Sequence, residues 1–187
     1  MRSSLHQGHY LRNPWVYRAR RGHCGHCHRG FGEPMSHLIA TFFYIGHLRP
    51  APGSWGSLAA LMSGAAVIYG AGLIGLCAGI FLACLLGYWA TARETAGKSD
   101  HDPSEIVIDE VAGQWIALLP LAIWPLPFDS AAFYYLFGFM AFRLFDITKP
   151  GLVGWADRLV GPLGVMLDDV IAGMMAAAAM TLVLVVL

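Results

Sequence analysis

Between Arg49 and Arg93 the chain runs for 43 residues without one Asp, Glu, Lys, Arg or His. A bilayer core of ~30 Å is crossed by about 20 helical residues rising 1.5 Å each, so this stretch is long enough for two spans and too long for one. Gly70-Ala71-Gly72 is the expected turn between them, because glycine interrupts a helix more readily than other residues. Helices are expected over 57–69 and 73–92.

Further uncharged runs cover Val111–Phe128, Ser130–Phe142 and Val170–Leu187, the first two separated at Pro125, Pro127 and Asp129. Two prolines and an aspartate mark a turn. The pattern predicts an all-α fold, a compact helical integral membrane protein with two helical hairpins and a C-terminal helix. A barrel would need strands of alternating hydropathy, which are not seen. The competing reading is a soluble helical bundle with an unusually apolar core. With 57% hydrophobic and 13% charged residues, the chain lies far from the soluble mean of roughly a quarter charged. That composition excludes a disordered chain, and zero formal net charge with no basic face argues against a nucleic-acid partner.

A hairpin returns the chain to the side it left. Residues near 50, residues 93–110 and residues 143–169 therefore share one face, and Arg49, Arg93, Lys98, Arg143, Lys149 and Arg158 make it the cytoplasmic one by the positive-inside rule. From Met35 onward there are 11 acidic against 6 basic residues. Carboxylates in excess at a membrane call for a cation.

Three acidic clusters fall on that face. The first runs from Asp100 to Glu110. Asp102-Pro103 reads as a helix N-cap with proline in the first turn, and Glu105 as a capping-box residue. Glu105 and Asp109 would share a helix face, with Glu110 about 100° around. Capping explains Asp102 and Glu105 but not Asp109 and Glu110, which enter an apolar run. In the second cluster, Arg143 and Asp146 are three apart and Lys149 precedes Pro150. An Arg fork with a Lys point charge suits a phosphate, and the Asp a metal; an ion pair with a snorkelling lysine suits the spacing equally. The third is Asp168-Asp169 before the last apolar run. Adjacent carboxylates there repel unless a cation bridges them, and Mg²⁺ prefers oxygen ligands shared with a phosphate.

Pro-Ala-Pro-Gly-Ser-Trp-Gly-Ser (50–57), Ile-Val-Ile-Asp-Glu (106–110), Phe-Arg-Leu-Phe-Asp-Ile-Thr-Lys-Pro (142–150) and Gly-Val-Met-Leu-Asp-Asp-Val-Ile-Ala-Gly (164–173) stand in this order. Together they resemble the phosphatidylglycerophosphatase A family from about Met35 to the C-terminus. The resemblance implies an all-helical, Mg²⁺-dependent lipid phosphatase of the bacterial inner membrane. Its active site would face the cytoplasm, and its substrate would be the lipid phosphatidylglycerophosphate, converted to phosphatidylglycerol and phosphate. It also implies Asp109, Glu110, Asp146, Asp168 and Asp169 as catalytic and magnesium-site residues, with Asp102 behind them. Arg143 and Lys149, with Lys98, would hold the phosphate. Either a water on the metal or an aspartate could attack phosphorus. The 50–57 segment is expected to be a loop whose N–H groups face phosphate, or else a stiff turn anchored by Trp55.

Residues 1–34 lie outside the resemblance, as a basic extension with six arginines or a stretch preceding a true start at Met35. They lack the apolar core of a cleavable signal peptide. They hold Cys24, Cys27 and His28 in the C-x-x-C-H pattern, so a membrane-anchored haem or zinc protein is an alternative class. A small cation transporter is another, but it would place polar residues in mid-span. Cys77 and Cys84, ~10 Å apart along one helix, are too distant for a disulfide and are expected to be packing residues.

Overall fold

The computed structural model describes residues 32–96, 103–124, 126 and 128–186. Lys98, Asp100 and Asp102, the prolines 125 and 127, and the Cys24/Cys27/His28 motif lie outside the described residues. Among the described residues all regular structure is helical: α1 (Gly32–Ala40), a 3-10 turn (Ile45–His47), α2 (Pro52–Thr95), α3 (Ile108–Ala117), α4 (Leu119–Ile123), α5 (Phe128–Thr148), α6 (Leu152–Asp157) and α7 (Pro162–Val186). Three of these, α2, α5 and α7, are long and apolar enough to cross a membrane. The architecture is that of an all-α membrane protein.

The 44 residues of α2 form two arms broken at Gly72, whose φ of 61° and ψ of −155° only glycine adopts readily. Gly64 and Gly79 would be ~22 Å apart in a straight helix. Instead the same indole, Trp115 of α3, covers both, so the arms fold back on each other. The hairpin is thus where the glycine-rich point places it. Trp115 also donates its Nε1–H to the Ala60 carbonyl at 2.8 Å. Small residues let the helices approach closely where lipid supplies no hydrophobic drive. Ala60, Ala83, Ala90 and Ala112 join Val111 and Met166 in one core cluster. A side chain on Gly113 of α3 would meet the Asp169 carbonyl of α7 and the Phe142 ring of α5. Large apolar residues such as Met62, Phe81, Leu136, Met140, Leu182 and Val185 stay on the outside, as lipid-facing positions do.

Several expected boundaries move. α2 begins at Pro52, not near Ser57, because proline at the first helical positions needs no N–H partner. Residues 103–107 are not helical and α3 starts at Ile108, so Glu105 neither caps a helix nor shares a face with Asp109. The Val107 N–H instead bonds the Ala40 carbonyl at 2.9 Å. The run beginning at Val111 divides after Ala117, since Pro120 cannot donate to the carbonyl of residue 116. α7 starts at Pro162, which puts Asp168 and Asp169 in its second turn rather than at its start. Cys77 is exposed on the outer surface, not packed, whereas Cys84 lies against the core.

Candidate active site

One end of the helices carries most of the charged residues. The first turn of α2, the 103–107 turn with the start of α3, the last turns of α5 and the second turn of α7 enclose a cavity of about 240 Å³. Its walls hold five carboxylates, Asp109, Glu110, Asp146, Asp168 and Asp169, and two cations, Arg143 and Lys149, beside Pro52, Gly53, Ser104, Ile106 and Val165. The three acidic clusters of the sequence therefore meet in one place.

Each element delivers its residues for a local reason. α3 starts at Ile108, so Asp109 and Glu110 occupy its first turn, where the helix dipole favours negative charge. Asp109 Oδ1 accepts the Glu110 N–H at 3.0 Å, and Asp168 Oδ1 accepts that of Asp169 at 3.1 Å. Both pairs thus have their first carboxylate folded back on the chain. Glu110 lies about 100° around α3 from Asp109, yet both line the cavity. Pro150 ends α5 and leaves Lys149 with a left-handed φ of 44°. That conformation is rare for a residue with a Cβ, and it turns the lysine toward α6 and α7.

The two cations are held by carboxylates. Arg143 Nη1 donates to Asp146 Oδ2 at 2.6 Å, lies 3.5 Å from Glu110 Oε1, and reaches Ser57 Oγ at 3.3 Å. Ser57 in turn donates to the Gly53 carbonyl at 2.9 Å. Lys149 donates to Asp168 Oδ2 at 2.9 Å and to Asp157 Oδ1. Burial pulls the Lys149 ammonium down, but its bonds to Asp157 and Asp168 outweigh this and hold it above the ordinary lysine value. It stays charged throughout the neutral range.

Asp109, Asp168 and Asp169 are only 6%, 7% and 4% exposed, and Asp169 Oδ1 is buried with no hydrogen-bond partner. A buried carboxylate oxygen without a donor is costly. Five carboxylates against two cations leave the cavity acidic, and all its spare donors are hard oxygens. That set fits Mg²⁺ rather than a metal that favours nitrogen or sulfur. Among the described residues no group of three or more Asp, Glu, His or Cys side chains is already drawn around a common ion position. Arg143 and Lys149 occupy the carboxylates that such a position would use.

Asp157 and Ser57 complete the ion-pair network without having been singled out as site residues. Asp157 lies on α6, beyond the turn at Pro150, where no helical spacing links it to Lys149. Ser57 belongs to the 50–57 motif, and its helical placement in α2 is what aims it at Arg143. Pro52 and Gly53 reach the cavity from the first turn of α2, not from a loop. A Cβ on Gly53 would collide with Glu110 Oε1 and lie 3.4 Å from Arg143 Nη1. Gly53→Ala is therefore expected to lower turnover by about 10²-fold through misplacing these two groups. Its melting temperature should barely change, since alanine favours the helix; wild-type turnover would show that Glu110 and Arg143 need not hold these positions.

Comparison with known proteins agrees with this geometry. The family profile described as Phosphatidylglycerophosphatase A matches residues 38–184. A Haemophilus influenzae protein named Phosphatidylglycerophosphatase A is 36% identical over 143 residues, covering 75% of this chain and 83% of its own. An Escherichia coli protein of the same name is 33% identical over 149 residues, covering 75% of this chain and 78% of its own. A Bacteroides thetaiotaomicron protein, provisionally named a phosphatidylinositol-3-phosphatase, is 36% identical over 140 residues, covering 73% of this chain and 85% of its own. No solved structure matches the chain at a significant level.

Proposed function

The chain belongs to the phosphatidylglycerophosphatase A family, and we propose that it hydrolyses the terminal phosphate of phosphatidylglycerophosphate to phosphatidylglycerol and inorganic phosphate. We place the reaction at the cytoplasmic face of a bacterial inner membrane, with Mg²⁺ as cofactor. The observation that carries this reading is the acidic cavity with one Arg and one Lys at the end of the spanning helices, where a lipid head group lies.

A phosphate monoester brings nearly two negative charges at neutral pH. Arg143 and Lys149 are charged and already inside the cavity, so each can exchange a carboxylate partner for a phosphate oxygen. Asp146 and Asp168, released in that exchange, would join Asp109, Glu110 and Asp169 in holding Mg²⁺. The ion supplies neutralisation of the charge that develops on the phosphoryl oxygens. A carboxylate of the cluster would accept the proton of the attacking water as its oxygen bonds phosphorus, and return that proton to the glycerol oxygen as its bond to phosphorus breaks. Ser57 and Gly53 keep the Arg143 fork in place while this happens. From residue 131 to 142 of α5, and from 170 to 186 of α7, the spans carry no Asp, Glu, Lys, Arg or His, which fits a head-group reaction better than passage of an ion.

The test is phosphate release by the detergent-solubilised full chain from phosphatidylglycerophosphate, phosphatidate and phosphatidylinositol 3-phosphate, each with Mg²⁺ and with EDTA. Fastest release from phosphatidylglycerophosphate, abolished by EDTA, is expected. Faster release from phosphatidylinositol 3-phosphate would reassign the substrate, and release indifferent to EDTA would remove the metal from the reading.

A further inference from the structure

Outside the acidic cavity, a second polar cluster joins α1, the 3-10 turn, the end of α2 and the 103–107 turn. His37 Nε2 and His47 Nε2 lie 3.0 Å apart. On its other edge, His37 Nδ1 is 3.4 Å from Glu94 Oε2, and Glu94 Oε1 accepts a hydrogen bond from Ser36 Oγ at 2.7 Å. His47 Nδ1 is 3.6 Å from Glu105 Oε2. Phe42, Phe43 and Tyr44, all at positive φ, form the turn that brings the two rings together.

A carboxylate beside each Nδ1 can draw a proton there, and with both rings in that tautomer each Nε2 presents a lone pair. At 3.0 Å one ring can donate its N–H to the other, or, with both Nε2 atoms deprotonated, a cation can sit between the two lone pairs. Two imidazole nitrogens that ligate one metal at about 2.0–2.1 Å stand about 2.9–3.4 Å apart, from right-angled to tetrahedral geometry. The observed separation falls in that interval. Carboxylates on the outer ring nitrogens are the usual partners of metal-bound histidines, orienting the rings and raising their basicity.

The geometry points to a second metal site, in which His37 Nε2 and His47 Nε2 hold a divalent transition metal of the imidazole-preferring class, such as Zn²⁺, with Glu94 and Glu105 as outer partners. Its nitrogen ligands separate it from the all-oxygen donor set of the cavity. The remaining coordination positions face solvent, since both rings are partly exposed. Bound metal would tie α1 and the end of α2 to the 103–107 turn. Glu105 lies there between Ser104 and Ile106, two residues of the cavity wall.

Zn²⁺ titration by calorimetry of the full chain against His37→Gln/His47→Gln tests this. Residues 23–28 carry other candidate ligands, but these are common to both proteins, so the difference reports the histidine pair. The double variant is expected to lose one equivalent of Zn²⁺, and the rise in melting temperature that this equivalent produces. Identical stoichiometry and affinity in the two proteins would overturn the site and leave a shared proton between the rings. Glu94→Gln and Glu105→Gln keep both imidazoles and serve if the double variant does not fold. Each is expected to bind the same number of Zn²⁺ ions with this site weakened about tenfold; unchanged affinity in both would overturn the proposal equally.

Discussion

Asp169→Asn is expected to lower phosphate release by about 10³-fold while the protein folds and inserts normally. Asp169 is 4% exposed, lies in the second turn of α7 and has one carboxylate oxygen with no hydrogen-bond partner. It shares the cavity with four other carboxylates, which outnumber Arg143 and Lys149, so its charge is repelled in the absence of a metal ion. Asparagine has the same shape and removes that repulsion. Thermal stability without Mg²⁺ should therefore be equal to or above wild type, and Mg²⁺ should stabilise the variant less than the parent. Loss of activity without loss of stability is the signature of a residue held for the reaction. Near-normal turnover would take Asp169 out of the metal site.

Arg143→Met should have the opposite stability profile. Its guanidinium, about one-sixth exposed, is the shared partner of Asp146, Glu110 and Ser57. Methionine fills much of the same volume but leaves two carboxylates without their cation, which destabilises by about 3 kcal/mol. Turnover should also fall by about 10³-fold, because the fork that would bind phosphate is gone. Mg²⁺ is then expected to raise the melting temperature of Arg143→Met more than that of the wild type, since it replaces a missing positive charge. Equal Mg²⁺ shifts in the two proteins would separate Arg143 from the ion-binding carboxylates. Arg143→Lys keeps the charge and loses the fork, so it should recover the stability and little of the turnover.

Much of this site was legible in the chain because charge is rare in it. When only 13% of residues are charged and 43 consecutive ones include no Asp, Glu, Lys, Arg or His, the acids that remain stand out, and hairpin parity gathers most of them on one side. The Arg143–Asp146 pair was legible too, since three residues on one helix are neighbours wherever that helix lies. The capping reading of Glu105 failed for a definable reason. Asp-Pro followed by Glu is a local helix-start signal, but the Val107 N–H is taken by the Ala40 carbonyl, and α3 cannot begin before Ile108. A tertiary hydrogen bond overrode a local preference. The same holds for Lys149: spacing offers it a phosphate, whereas the turn at Pro150 brings it Asp157 and Asp168.

The helical membrane class, the reversal at Gly72, the family and the five carboxylates with their two cations can all be read from the chain. Each of these follows from hydropathy, glycine backbone freedom or local motif order, which are properties of short stretches of chain. The sharing-out of the carboxylates, the places of Ser57 and Asp157 in the network, and the meeting of His37 and His47 between Glu94 and Glu105 arise from folding. Those contacts join residues from separate helices and turns. Their distances depend on where small-residue packing sets each helix against the next, and no local pattern encodes that spacing.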